Sequence, residues 1–170
     1  MSHLGRPAKK LKADGSIDRE KYSLRQIIST VHELLGQSIH FVADTIGDEV
    51  KEAASKLQDG EVLLLENTRF YKEEKKGDEA FAKELASLAN IYINDAFGAA
   101  HREHASTATV AKFFPENQKA FGFLMRQELE SARRLITSPE KPYIAIIGGA
   151  KVSDKIMLFC LLYTSPSPRD

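Results

Sequence analysis

The chain has 170 residues, 42% of them hydrophobic and 28% charged, the ordinary make-up of one globular domain or of part of a larger one. Its 24 Lys and Arg balance 24 Asp and Glu, so no whole-chain field recruits nucleic acid or an acidic membrane, and any anion site must be local. Cys160 stands alone, which excludes an internal disulfide and a cysteine-based zinc site; the longest apolar runs fall far short of the roughly 20 residues that cross a bilayer.

In chain order, residues 23–35 (SLRQIISTVHELL) predict a helix. Leu24, Ile27, Ile28, Val31, Leu34 and Leu35 recur at helical spacing and define its buried face. Ser23 and Gln26 suit a capping box, and Gly36 suits the stop. Residues 39–43 (IHFVA) predict a strand and residues 50–57 (VKEAASKL) a second helix, followed by a turn at Asp59-Gly60. Residues 62–65 (VLLL) form a solid apolar run, the pattern of a strand buried on both faces. Asp78 can cap a third helix that turns Phe81, Leu85 and Leu88 inward, and residues 91–93 (IYI) predict a short strand. Residues 125–136 (MRQELESARRLI) predict a helix with Leu129, Ala132, Leu135 and Ile136 on its buried side. Residues 143–147 (YIAII) predict a further buried strand running straight into Gly148-Gly149.

Strands and helices alternate, which argues for a parallel sheet with helical crossovers. Open sheets of this kind bind ligands beyond the carboxyl ends of their strands. Basic residues gather there: Arg69 after VLLL, His101, Arg102 and His104 after IYI, and Lys151 and Lys155 after YIAII, with His3 and Arg6 in the opening segment. Arginine grips phosphate and carboxylate through a planar fork. The small residues Ala96, Gly98, Ala99 and Ala100 leave room for a ligand or for backbone. In GGAKVSDK (148–155), a glycine pair between a strand and a helix start can cradle phosphate, although no Walker A loop is present.

Each signal has a plainer reading when taken singly. Arg69 alone reads as a solvated loop residue, HREH (101–104) as a capped turn with surface charges, and GGAK as a turn. Glu73-Glu74-Lys75-Lys76 reads as a solvated face. His32 and His40 read as structural. Joint placement at strand ends is what favours an α/β anion-binding enzyme, with phosphoryl transfer as its chemistry.

The segments SHLGRP (2–7), LLLENTRFYKEEKKGD (63–78), NDAFGAAHREHAST (94–107), ELE (128–130) and IIGGAKVSDKI (146–156) together resemble the phosphoglycerate kinase family, in the family's order and over residues 2–156. The resemblance implies an α/β, parallel-sheet, Rossmann-like fold, here truncated at both ends. It implies a partial N-terminal 3-phosphoglycerate-binding domain (1–124), an interdomain helix (125–138) and the start of a nucleotide-binding domain (139–156). Residues 157–170 are expected to be a non-family, artefactual tail.

The implied reaction is reversible phosphoryl transfer between 1,3-bisphosphoglycerate and ADP, giving 3-phosphoglycerate and ATP in glycolysis. His3, Leu4, Gly5, Arg6, Arg69 and Arg102 resemble the family's substrate ligands, and Lys151 with Arg102 its catalytic residues. Gly149, Ala150, Lys151 and Lys155 resemble its contacts to ATP or ADP, whose Mg2+ ligands are expected in a C-terminal part that this chain lacks. No nucleic acid or membrane partner is expected. A cytoplasmic monomer is expected of the complete enzyme, and an inactive product of the fragment alone. The alternative is a small-anion-binding fragment without chemistry, or a truncated gene product.

Overall fold

The computed structural model describes residues 1–137. It divides the chain into two compact units, Met1–Ser131 and Ala132–Asp170. The strand read at 143–147 and the glycine pair after it lie outside the described residues. The helices are α1 (Arg19–Tyr22), α2 (Ile28–Leu35), α3 (Asp48–Ser55), α4 (Lys72–Lys76), α5 (Glu79–Ala86) and α6 (Phe123–Thr137), and the strands are β1 (Ile39–Val42), β2 (Val62–Leu65), β3 (Tyr92–Asn94) and β4 (Lys119–Phe121). Short 3₁₀ turns connect them at Leu24–Ile27, Thr68–Phe70, Phe97–Ala99 and Thr109–Phe113.

The sheet is parallel and comes in two pairs. β1 pairs with β2 across the α3 crossover, with Ile39 opposite Val62 and Val42 opposite Leu65. β3 pairs with β4, with Tyr92 opposite Lys119 and Asn94 opposite Phe121. β4 was not expected from sequence. Its three residues, Lys-Ala-Phe, are too few to show a period, and pairing with β3 is what makes them a strand.

The local signals explain the helix ends. The Asp78 carboxylate accepts from Phe81 N–H at 2.9 Å, a side-chain cap on an otherwise unpaired donor at the start of α5. Gly36 closes α2 at φ +67°, a left-handed conformation that glycine adopts without steric cost. At residue 23 the capping box gives way to a different arrangement. Ser23 Oγ accepts from Arg25 N–H, while the Gln26 amide donates to the carbonyls of Glu20, Lys21 and Ser23. A 3₁₀ turn tightens the chain here, so Gln26 faces carbonyls rather than an N–H.

Two small cores form. Phe81, Ala82 and Leu85 of α5 pack with Tyr92, Ala105, Val110 and Phe114. Val42, Val50 and Leu65 form the second, between the β1–β2 pair and α3. Three burial expectations are corrected. In α2 no residue is fully buried: Ile28 and Val31 are half-buried beside β1, and Leu34 is 81% exposed. Only Leu65 of β2 is buried, since the strand has a single neighbour among the described residues. The helix read at 125–136 starts at Phe123 and buries Met125 instead, leaving Leu129 and Leu135 exposed.

Candidate functional site

The carboxyl end of β2 runs into Glu66-Asn67-Thr68-Arg69. The first three are buried, which is unusual for polar side chains, and Glu66 and Asn67 are fully engaged in hydrogen bonds. Glu66 Oε1 accepts from the N–H groups of Leu24 and Asn67, both at 2.8 Å, and Oε2 accepts from Ser23 Oγ at 2.6 Å. Asn67 Nδ2 donates to the carbonyls of Leu4 (2.9 Å) and Tyr22 (2.8 Å), and its Oδ1 accepts from Arg69 N–H at 3.0 Å. Thr68 N–H donates to the Ser2 carbonyl at 3.1 Å. The Ser2–Arg6 segment is thereby laced to the end of β2.

Gly5 has a structural reason to be glycine. It sits at φ +63°, and a Cβ there would lie 2.8 Å from a ring carbon of Tyr22. Arg69 then reaches back across this segment, and its Nη1 donates to the Gly5 carbonyl at 2.7 Å. Arg69 Nε is buried and has no acceptor among the described residues; Thr68 Oγ1 is in the same position. A buried donor without a partner is costly, and a bound anion would relieve that cost.

The carboxyl end of β3 supplies the second arm. Asn94 Nδ2 donates to the Thr107 carbonyl at 3.0 Å, and Tyr92 Oη donates to the Ser106 carbonyl at 2.9 Å, so the loop through Arg102 folds back on its own strand. Asp95 Oδ1 accepts from Met125 N–H at 2.9 Å and caps the start of α6. Arg102 is exposed and donates from Nε to His101 Nε2 at 3.0 Å. A cleft of about 570 Å³ opens beside β3, lined among others by His3, Asn94, Ala96, Gly98 and Ala99. Of the small residues, Ala96, Gly98 and Ala99 form part of its wall and Ala100 does not. Gly98, however, has nothing within 4 Å of a would-be Cβ, so space alone does not demand glycine there.

Electrostatics joins the arms. Burial holds Arg69 below its ordinary value; Glu74 opposes this, and the charges of Arg102 and Arg6 add to it. Burial lowers Lys75 as well, helped by Arg69, Lys9, Arg6 and Arg102. Burial lowers His3, and the charges of Arg69 and His104 push the same way. His104 is lowered by burial against the pull of Glu74, with Arg69, Arg102 and Lys75 assisting. Residues from four separate segments, His3, Arg6, Lys9, Arg69, Lys75, Arg102 and His104, thus feel one another. Arg6, Lys9, Arg69, Lys75 and Arg102 thus form a local cationic cluster on a chain of zero formal charge.

His3, Leu4, Gly5, Arg6, Arg69 and Arg102 therefore lie in one region. Lys9 and Lys75 were missed. His32 and His40 stand apart, bound to the Gln37 carbonyl and paired with Glu61. Glu74 overturns the solvated-face reading of residues 73–76, because its side chain is buried against the Arg102 loop. Gly149, Ala150, Lys151 and Lys155 lie outside the described residues. Among the described residues, no cluster of three His, Cys, Asp or Glu side chains could hold a metal ion, and no helix is long and apolar enough to cross a membrane.

Parallel strands and helical crossovers, with arginines converging at the strand carboxyl ends, define a protein of the α/β class. The model of the phosphoglycerate kinase family matches residues 1–165, and the chain belongs to that family. The match runs past Ile156, into the stretch that the sequence reading set apart. Similar proteins include the phosphoglycerate kinase of Moorella thermoacetica, 51% identical over 164 residues (96% of this chain and 39% of the relative). That of Anaeromyxobacter sp. strain K is 54% identical over 155 residues (91% and 37%). Among solved structures, phosphoglycerate kinase from Coxiella burnetii aligns with a TM-score of 0.75 at 32% identity, covering 96% of this chain and 38% of that one. The chain thus spans under two fifths of the curated relatives' length.

Proposed function

We propose that this chain carries the 3-phosphoglycerate-binding part of a phosphoglycerate kinase, whose complete form transfers a phosphoryl group between 1,3-bisphosphoglycerate and ADP. The observation that carries this reading is the convergence of Arg6, Arg69, Arg102 and His3 from separate segments, with Arg69 Nε buried and without an acceptor among the described residues. Arg69 and Arg102 would grip the glycerate's phosphate and carboxylate. The Ser2–Arg6 segment would complete the pocket through His3, Arg6 and the backbone of Leu4 and Gly5. Arg102 would also offset charge on the transferring group, where catalysis is mainly positioning and electrostatics.

The same proposal assigns Lys151 to the transferring phosphoryl group and Gly149, Ala150 and Lys155 to ATP or ADP. Magnesium accompanies the nucleotide in this chemistry, and the described residues offer no ligand cluster for it. A cytoplasmic monomer completes the proposal for the whole enzyme.

The test is binding, because the chain spans only part of its relatives. Titrating the chain with 3-phosphoglycerate by calorimetry should give a saturable isotherm. Arg69→Ala or Arg102→Ala should each weaken it about ten- to a hundredfold, since a charge-assisted hydrogen bond contributes about 1.5–3 kcal/mol. Equal binding by wild type and both variants would place the anion elsewhere and sink the reading.

A further inference from the structure

Beneath the cationic cluster lies a carboxylate that anion binding does not use. Glu74 is only 1% exposed although it sits in α4, whose sequence KEEKK is wholly charged. Its backbone carbonyl accepts from Ala105 N–H at 2.8 Å. Its Oε2 accepts from Ser106 N–H at 3.0 Å, and its Oε1 accepts from Ser106 Oγ at 2.5 Å. Oε1 also lies 4.0 Å from His104 Nδ1, too far for a hydrogen bond and an ion pair only when His104 is protonated. α4 follows Arg69 by three residues, and Ala105–Ser106 follows Arg102 by as many. One side chain therefore ties together the two loops that carry the anion-binding arginines.

We propose that Glu74 is a positioning residue of the anion site: through Ala105 and Ser106 it sets the spacing of the Arg69 and Arg102 arms, and its carboxylate offsets their mutual repulsion before an anion arrives. This rests on the anion-binding reading above. The charges around His104 fit the same role. Arg69, Arg102 and Lys75 disfavour its protonated form and Glu74 favours it, while His104 in turn disfavours protonation of His3. Among the described residues, Glu74 is the acidic residue whose charge acts on His104.

The test compares the 170-residue chain with Glu74→Gln and Ser106→Ala, using inorganic phosphate and 3-phosphoglycerate at fixed pH and salt. Gln keeps the shape and one acceptor but loses the charge. If Glu74 positions the arms, Glu74→Gln weakens phosphate binding about tenfold despite making the site more positive, and Ser106→Ala weakens it less. It also lowers the His104 titration point followed by NMR of the ring. Unchanged or tighter phosphate binding in Glu74→Gln overturns the proposal, because a mere counter-charge would bind tighter on removal and mere filler would not matter. An unmoved His104 titration overturns it too. Should Glu74→Gln fail to fold, Ser106→Ala decides: phosphate binding must weaken with the melting temperature held. Should the wild type bind no phosphate, the anion reading fails by itself. The tie between the loops is then judged by amide exchange at Ser106, which must quicken in Glu74→Gln.

Discussion

α5 and α2 are both eight-residue helices with apolar residues at helical spacing, yet they end in opposite situations. α5 buries Phe81, Ala82 and Leu85 against Tyr92, Val110 and Phe114, and its Phe81 ring lies 5.1 Å from that of Tyr71. α2 fully buries no residue, and its Leu34 and Leu35 are 81% and 53% exposed. The contrast teaches that periodicity writes an apolar face but does not supply the surface to cover it. α5 has β3 and the Thr109–Phe113 turn beside it. α2 lies beside β1, which has only β2 as a sheet neighbour among the described residues.

The strongest attack on that comparison is Phe81→Ala. It should cost about 3–5 kcal/mol, as deletions of a buried aromatic ring do. That is a large share of the roughly 5–15 kcal/mol that holds a domain together. Thermal unfolding followed by circular dichroism should show the melting temperature lowered by about 10–20 °C. A melting point like that of the parent chain would mean that α5 is no better buried than α2.

Polar burial gives the next largest effect. Asn67→Ala strands the Leu4 and Tyr22 carbonyls and should destabilise by about 1–3 kcal/mol for each group left unpaired. Amide exchange should quicken selectively in residues 2–6; uniform quickening over the whole chain would show that Asn67 is not a local clamp.

A smaller effect comes with pH. His3 and His104 are both held below the ordinary histidine value of 6.5, by burial first, then by Arg69 and His104 for His3, and by Arg69, Arg102 and Lys75 against Glu74 for His104. The unfolded chain therefore takes up protons more readily than the folded one. Stability is intact above 6.5 and falls as pH drops through 6.5 toward the folded values. Urea midpoints should be lower at pH 5.5 than at pH 8, and His104→Gln should flatten the difference. The same pH dependence in that variant would remove His104 from the account. Least of all, Leu34→Gln should change stability by no more than about 0.5 kcal/mol, the range of exposed substitutions. A larger loss in the same melting measurement would reveal a hidden partner for α2.

Legibility followed the range of the forces involved. The α5 cap was readable because Asp78 and Phe81 N–H are three residues apart, and so was the stop at Gly36. Arg69 and Arg102 were readable because an arginine following a buried strand lands at the same end of a parallel sheet as every other such arginine. Glu74 was not. In KEEKK nothing distinguishes one glutamate from the next, and the donors that bury it, Ser106 N–H and Oγ, come from a loop 32 residues away. Lys75 was lost with it in the same charged run, and Asp95 as the cap of α6 was hidden by a separation of 30 residues.

By itself the sequence determined the alternation of strands and helices, the Asp78 cap and the Gly36 stop, the strand ends on which basic residues fall, and membership of a kinase family through long ordered segments. These depend on neighbours a few residues apart, where backbone geometry leaves few choices. Only the tertiary structure decided which apolar faces are covered, that Asn67 laces the opening segment to β2, and that Glu74 lies buried between two arginine-bearing loops. Burial and charge pairing depend on what arrives from elsewhere in the chain, and no local pattern encodes that arrival.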